Sequence, residues 1–198
     1  MASSDSLRIG IIAEEDNDVD VLRELTCKIL QEKRFSFKKF VGHGCGKLRQ
    51  KCRAWAFSLL KQGCSFLVVV HDLDERKEHE LRAELEGKIG KIQFTLTVIL
   101  IPVREIEAWL LSDPKALKRV FRMSRIPKIT TRPETIPNPK RFLSNLVSSH
   151  SRKQYINTIH NRQIANQLIL ESLNRCPSFS RYPRFLSQAK SSLVESSA

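Results

Sequence analysis

VVVHDLDER, residues 68–76, decides the fold. Three β-branched residues run straight into two aspartates spaced one apart. An apolar run of strand length that ends in acids reads as a buried strand of a parallel sheet. CSFLVVVH (64–71) is that strand, and LRIGIIA (7–13) is a second of the same kind. SFKKFVG (36–42) is a shorter strand, and KIQFTLTVILIPV (91–103) contains a fourth. Between them lie helical patterns. DVDVLRELTCKILQEK (18–33) puts Val19, Leu22, Leu25, Ile29 and Leu30 on one face. KLRQKCRAWAFSLLKQG (47–63) turns Leu48, Cys52, Trp55, Leu59 and Leu60 inward. DERKEHELRAELEGKIG (74–90) is a charged amphipathic helix, and REIEAWLLS (104–112) opens another. Alternation of strand and helix predicts an α/β fold, a mostly parallel sheet flanked by helices.

That α/β domain spans residues 1–112 in this reading. Residues 113–190 change character. DPKALKRVF (113–121) is a short helix, and 123–140 carries four prolines and no period. Residues 141–149 and 151–175 read as helical, and 176–190 as one more short helix. The segment is a basic helical extension packed on the α/β domain, and SSLVESSA (191–198) is a frayed tail.

Of 198 residues, 41% are hydrophobic and 28% charged, which suits a packed core. No apolar run reaches the roughly 18 residues of a membrane span. The start of the chain lacks the pattern of a signal peptide, so a cytoplasmic location is expected. The five cysteines, at 27, 45, 52, 64 and 176, form no CxxC pair and are expected to be reduced thiols. His43, Cys45 and Cys52 lack a second ligand pair of zinc-like spacing. The net charge of +13 is uneven: residues 1–100 carry +2 and residues 101–198 carry +11. Such a bias attracts a polyanion, DNA or RNA above all, or else an acidic protein.

The acids sit where a parallel sheet binds ligands, at the carboxyl ends of strands. Strand 7–13 ends in Glu14, Glu15, Asp16 and Asp18; strand 64–71 in Asp72 and Asp74; the fourth in Glu105 and Glu107. Like charges gathered there raise one another's pKa unless a cation lies among them. Mg²⁺ and Mn²⁺ prefer such hard oxygen donors. Other roles stay open: Asp74 is placed to cap the next helix, and the EEDND run to favour a helix N-terminus.

Glu at the end of the first strand, then a helix, then DxD at the end of a later strand, resembles the Toprim domain. That family includes primases, topoisomerases and nucleases of the overcoming-lysogenisation-defect type. Its first motif is matched at Glu14 and Asp18, with Glu15 where a glycine is usual; its second stands at Asp72-Leu73-Asp74. A narrower resemblance, to uncharacterised bacterial Toprim-like proteins, rests on Glu105-Ile106-Glu107-Ala108-Trp109, Lys140, Tyr155 and CPSF (176–179). The resemblance implies a metal-dependent nuclease. Its catalytic residues would be Glu14, Asp72, Asp74 and Glu107. Its Mg²⁺ or Mn²⁺ ligands would come from Glu14, Asp18, Asp72, Asp74, Glu105 and Glu107. It also implies work beside a separately encoded ATPase, as in phage defence, and is compatible with a homo-oligomer. A non-catalytic module that binds nucleic acid or a partner is the alternative.

Phosphate contacts are expected from the glycine loop and basic helix at 42–53, through Lys47, Arg49, Lys51 and Arg53. Lys140, Arg141, Lys153 and His160 are the candidates in the extension. His160 is also a candidate general acid.

Overall fold

The computed structural model describes residues 6–31 and 35–196, with only the backbone at Cys45, Glu195 and Ser196. The end of the helix read over 18–33 and the last two residues of the tail lie outside the described residues, as does the Cys45 side chain. Four strands form one sheet: β1 (Leu7–Ala13), β2 (Phe35–Val41), β3 (Phe66–Val70) and β4 (Leu96–Leu100). The order is β2-β1-β3-β4 and every pairing is parallel. β3 is buried along its whole length, which is why its sequence shows no alternation.

The strand order dictates the layers. The chain moves one way from β1 to β2 and the other way from β2 to β3 and β4. Right-handed crossovers therefore put α1 (Asp16–Leu30) on one face, and α2 (Cys45–Lys61) and α3 (Glu78–Ile89) on the other. The cores agree. Ile12, Leu67, Val69 and Ile99 join Leu48, Cys52, Leu59, Leu81 and Leu85 beneath α2 and α3. Ile9, Ile11, Phe66, Val68 and Val70 join Val21, Leu22 and Leu25 of α1 on the opposite face. Gly10 lets α2 come close: a Cβ there would lie 3.0–3.3 Å from Leu59 side-chain atoms.

With α1 alone on its face, β3 and β4 would be bare on that side. The extension fills the gap. After α4 (Glu107–Leu110) and α5 (Pro114–Phe121) come α6 (Pro139–His150), α7 (Asn157–Gln167) and α8 (Arg181–Ser196). Tyr182, Phe185, Leu186 and Ala189 of α8 are buried in the same cluster as β1, β3 and α1. The Phe185 ring meets Phe66 edge-on, with centroids 6.5 Å apart. The Tyr182 hydroxyl lies 2.6 Å from Thr26 Oγ1 of α1. The extension thus shares the main core and is a layer of the fold. α8 also continues to Ser196, through most of the segment expected to fray.

Several sequence boundaries shift. The helix read over 74–90 starts only at Glu78, and that read over 104–112 is a single turn. Residues 151–156 are not helical, and a 3-10 turn over Leu170–Arg175 follows α7. The proline-rich connector is pinned by Arg175, whose guanidinium donates to the carbonyls of Ile129 and Thr131.

Asp113 shows how the extension is fastened. Its Oδ1 caps α5 by accepting from the Lys115 and Ala116 amides, and its Oδ2 accepts from the Ile169 amide at 3.0 Å. Asp113→Ala removes the cap and orphans the Ile169 N–H. Urea unfolding is expected to show a loss of about 2–4 kcal/mol.

Candidate functional site

The strand order reverses between β1 and β3, and their carboxyl ends form the crevice where ligands bind in such sheets. Glu14 directly follows β1. Its Oε1 accepts from the Asp72 amide at 3.0 Å and lies 2.9 Å from His71 Nδ1. That nitrogen is also 2.6 Å from the Asp72 carbonyl oxygen. Both of those neighbours are acceptors, so Nδ1 carries the proton. His71 is 1% exposed, and its Nε2 is buried without a partner among the described residues. Sequence reasoning missed His71. Its signal was a polar residue closing a strand that is otherwise wholly apolar.

Asp18 and Glu107, 5% and 3% exposed, are the most deeply buried acids of this edge. Asp18 sits at the third position of α1 and accepts from the Glu15 amide at 2.9 Å, so it caps the helix as well as facing the crevice. Burial pushes its carboxyl up to about 8 against that bond, and Glu107, Glu14 and Glu15 add to the rise. The Asp72 carboxyl is raised well above its usual range, first by burial, then by Asp18, Glu107, Glu14 and Asp74. Among the described residues nothing donates a hydrogen bond to the Asp72 carboxylate.

Glu107 is held from the extension. Its Oε1 lies 3.0 Å from the Tyr155 hydroxyl and 3.1 Å from Asn161 Nδ2 of α7. Glu105 Oε2 accepts from the Lys140 amide at the start of α6, at 2.8 Å. Burial raises the Glu105 carboxyl, the Lys140 amide opposes this, and Glu107 adds to it. Asn157 of α7 reaches Glu15 Oε2 at 3.3 Å. The starts of α6 and α7 therefore close over the acidic edge.

Asp74 stands exposed in a turn at φ 52°, four residues before α3 begins, so it is not at that helix's cap position; Lys77 is. Its amide donates to the Arg104 carbonyl, and Arg104 donates back to the Asp74 carbonyl. Burial and Glu14 raise its carboxyl, against His71, Arg104 and Arg76.

The structure thus couples Glu14, Asp18, Asp72, Asp74 and Glu107 electrostatically, with Glu105 at their border. Among the described residues no three His, Cys, Asp or Glu side chains stand ready-made as a metal cage. Glu14, Asp18, Glu105 and Glu107 each have an oxygen turned to a protein donor instead. The chemistry of the set nevertheless fits a hard divalent cation: it is all carboxylate, and burial first, then the neighbouring acids, raise Asp18, Asp72 and Asp74.

The motifs that flank Glu107 lock its short helix. Trp109 is fully buried, and its Nε1 donates to Ser178 Oγ at 2.8 Å. Ser178 in turn donates to Glu134 through both its hydroxyl and its amide. Phe179 meets Trp109 edge-on at 5.2 Å. CPSF is therefore a clamp on α4, a role its sequence did not reveal.

The basic candidates divide. Lys47 lies in the first turn of α2, after Gly44, whose φ of 125° suits glycine and whose amide donates to the Glu14 carbonyl at 3.4 Å. Lys140 and Arg141 open α6 beside Glu105. These three share the acidic edge. Lys51 is exposed one turn further along α2. Arg49 faces Glu84 at 3.7 Å. Arg53 borders a cleft with Phe57, Lys91 and Ile92, beside the loop that enters β4, so it lies toward the opposite edge. Lys153 donates to the Val120 carbonyl at 3.0 Å. His160 Nδ1 accepts from the Ile156 amide at 2.9 Å, and its ring packs 4.9 Å from Phe121. The last two thus each make a backbone bond within the extension, away from the carboxylates.

Among the described residues no helix is long and apolar enough to cross a membrane. Neither a curated protein nor a solved structure matches the chain. A family model described as a domain of unknown function (DUF4276) matches residues 13–187. The match runs from the last residue of β1 into α8, and so takes in the acidic edge together with the helices that close over it. The protein belongs to the DUF4276 family.

Proposed function

We propose that the protein is a Mg²⁺- or Mn²⁺-dependent nuclease of Toprim-like type, cleaving phosphodiester bonds of DNA or RNA. The observation that carries this reading is Asp72: burial and four neighbouring carboxylates raise its carboxyl, and among the described residues no hydrogen-bond donor reaches it. Such a group calls for a cation. Asp72, Glu14, Asp18 and Glu107 would hold it, with Asp74 and Glu105 nearest the border. A bound divalent ion would supply Lewis-acid stabilisation of phosphate oxygens and a more acidic water.

The chain's own residues do the rest. His71 and the Asp72 amide fix Glu14 against β3, so that the β1 and β3 carboxylates move as one unit. Lys47, Lys140 and Arg141 line the same edge and would track the phosphate backbone without reading bases. The excess of positive charge in residues 101–198 favours a polyanionic substrate. A companion ATPase and phage defence follow from the resemblance alone and belong to this proposal, as does the cytoplasmic setting expected from the sequence.

Purified protein incubated with plasmid DNA and with single-stranded RNA, with and without Mg²⁺ or Mn²⁺, tests the reading. Metal-dependent cleavage that disappears in Asp72→Ala is expected, a loss of at least about 10²-fold given the size of electrostatic contributions in such sites. Cleavage that survives in Asp72→Ala would place the chemistry elsewhere. The second reading, a non-catalytic module, rests on the hydrogen bonds that already occupy four of the carboxylates. Binding of the same nucleic acids without cleavage under any metal would favour it.

A further inference from the structure

Glu107 sits on a helix of four residues, too short to fix a side chain by its own turns. What fixes it comes from about fifty residues further along the chain. Tyr155 precedes α7 and Asn161 lies on it, and both approach the same oxygen, Glu107 Oε1. The Tyr155 hydroxyl is also 2.5 Å from Asn161 Oδ1. The three groups close a ring: the Asn161 amide nitrogen donates to Glu107, and its carbonyl oxygen faces the phenol. Only one orientation of the Asn161 amide satisfies this arrangement. Asn161 is fully buried, Glu107 nearly so, and the Tyr155 ring packs edge-on to Phe121. The one phenol proton is shared between Glu107 Oε1 and Asn161 Oδ1, and the amide bond from Asn161 holds Glu107 in either case. Both contacts fall on Oε1, and among the described residues no bond to the other oxygen of Glu107 is seen.

We infer that Tyr155 and Asn161 are positioning residues that set the divalent-cation affinity of the acidic edge through Glu107. The inference rests on the reading of that edge as a cation site, and it adds α7 to the site. Outer partners of a ligating carboxylate typically contribute about 10–100-fold to metal affinity. Tyr182 provides the matched control. It is a second buried tyrosine whose hydroxyl bonds across helices, to Thr26, about two turns along α1 from Asp18.

The test is Mn²⁺ binding to the full chain, followed by the electron paramagnetic resonance signal of free Mn²⁺. Wild type, Tyr155→Phe, Asn161→Ala and Tyr182→Phe are compared, each with its melting temperature in EDTA. Weakening of Mn²⁺ binding by about 10–100-fold in Tyr155→Phe, with Tyr182→Phe close to wild type, is the expected result. Asn161→Ala gives the same direction if it folds. Equal affinity in wild type and Tyr155→Phe overturns the inference while leaving the cation site standing. Equal weakening in Tyr155→Phe and Tyr182→Phe overturns it as well, since a general loss of packing would then suffice. Absence of Mn²⁺ binding in the wild type removes the cation reading itself, and this inference with it.

Discussion

Asp72→Asn is expected to make the metal-free protein more stable at pH 8 while abolishing cleavage. The reason is linkage. Folding raises the Asp72 and Asp18 carboxyls above their unfolded values near 3.8, Asp18 to about 8. Between those limits the folded state binds more protons than the unfolded one. Stability is therefore greatest below the unfolded value and is lost as pH rises toward the folded one. In EDTA the wild-type melting temperature should fall from pH 5 to pH 8. Asparagine keeps the shape of Asp72 and removes its charge, so that slope should flatten. At pH 8 the variant should melt higher by at least the about 2–4 °C that 1 kcal/mol moves a domain of this size. Mg²⁺ or Mn²⁺ should raise the wild-type value at pH 8 and leave the variant nearly unmoved. A variant that melts lower than wild type in EDTA at pH 8 would show that the Asp72 charge is penalised neither by burial nor by its neighbours. This is the pattern of a site that gives up stability for function.

A chain ending at residue 112 is expected not to fold. The sequence marks that point as the end of a domain, but the packing does not respect it. Tyr182, Phe185, Leu186 and Ala189 cover the face that α1 leaves open over β3 and β4. Burying each large apolar side chain contributes about 1.5–3 kcal/mol. A whole domain has only about 5–15 kcal/mol to lose. Truncation also uncovers Trp109 and Leu110, both fully buried in the intact chain. Circular dichroism of residues 1–112 should show no cooperative melting transition. A cooperative transition would mean that the extension is dispensable after all. In the full chain, Phe185→Ala should cost about 3–5 kcal/mol, which keeps the test informative where truncation simply aggregates.

The contrast shows what the sequence could reveal. β1 and β3 were legible because a strand buried on both faces is written as a continuous apolar run, and each ends in acids. The gathering of Glu14, Asp18, Asp72 and Glu107 was legible because a parallel sheet brings strand ends to one edge whatever the loops do. α8 was read as one short helix. Its apolar positions were visible, but nothing local says that a helix some eighty residues beyond β4 must cover β3 and β4; that follows only from the strand order. His71 went unread because a histidine after three valines looks like one more strand residue. His160 and Lys153 were read as phosphate ligands because they are polar and basic in a basic segment; the backbone bonds they make at Ile156 and Val120 have no local signal in the sequence. Tyr155 stood out as a motif, but its partner Glu107 lies 48 residues away in sequence.

Anomalous scattering from a crystal soaked in Mn²⁺ addresses the central claim most directly. The expected result is a peak at the carboxyl edge of β1 and β3, within direct bonding distance of Asp72 and of at least one oxygen from Glu14, Asp18 or Glu107. A fully soaked crystal with no peak at that edge, or with its only peak elsewhere on the protein, would contradict it.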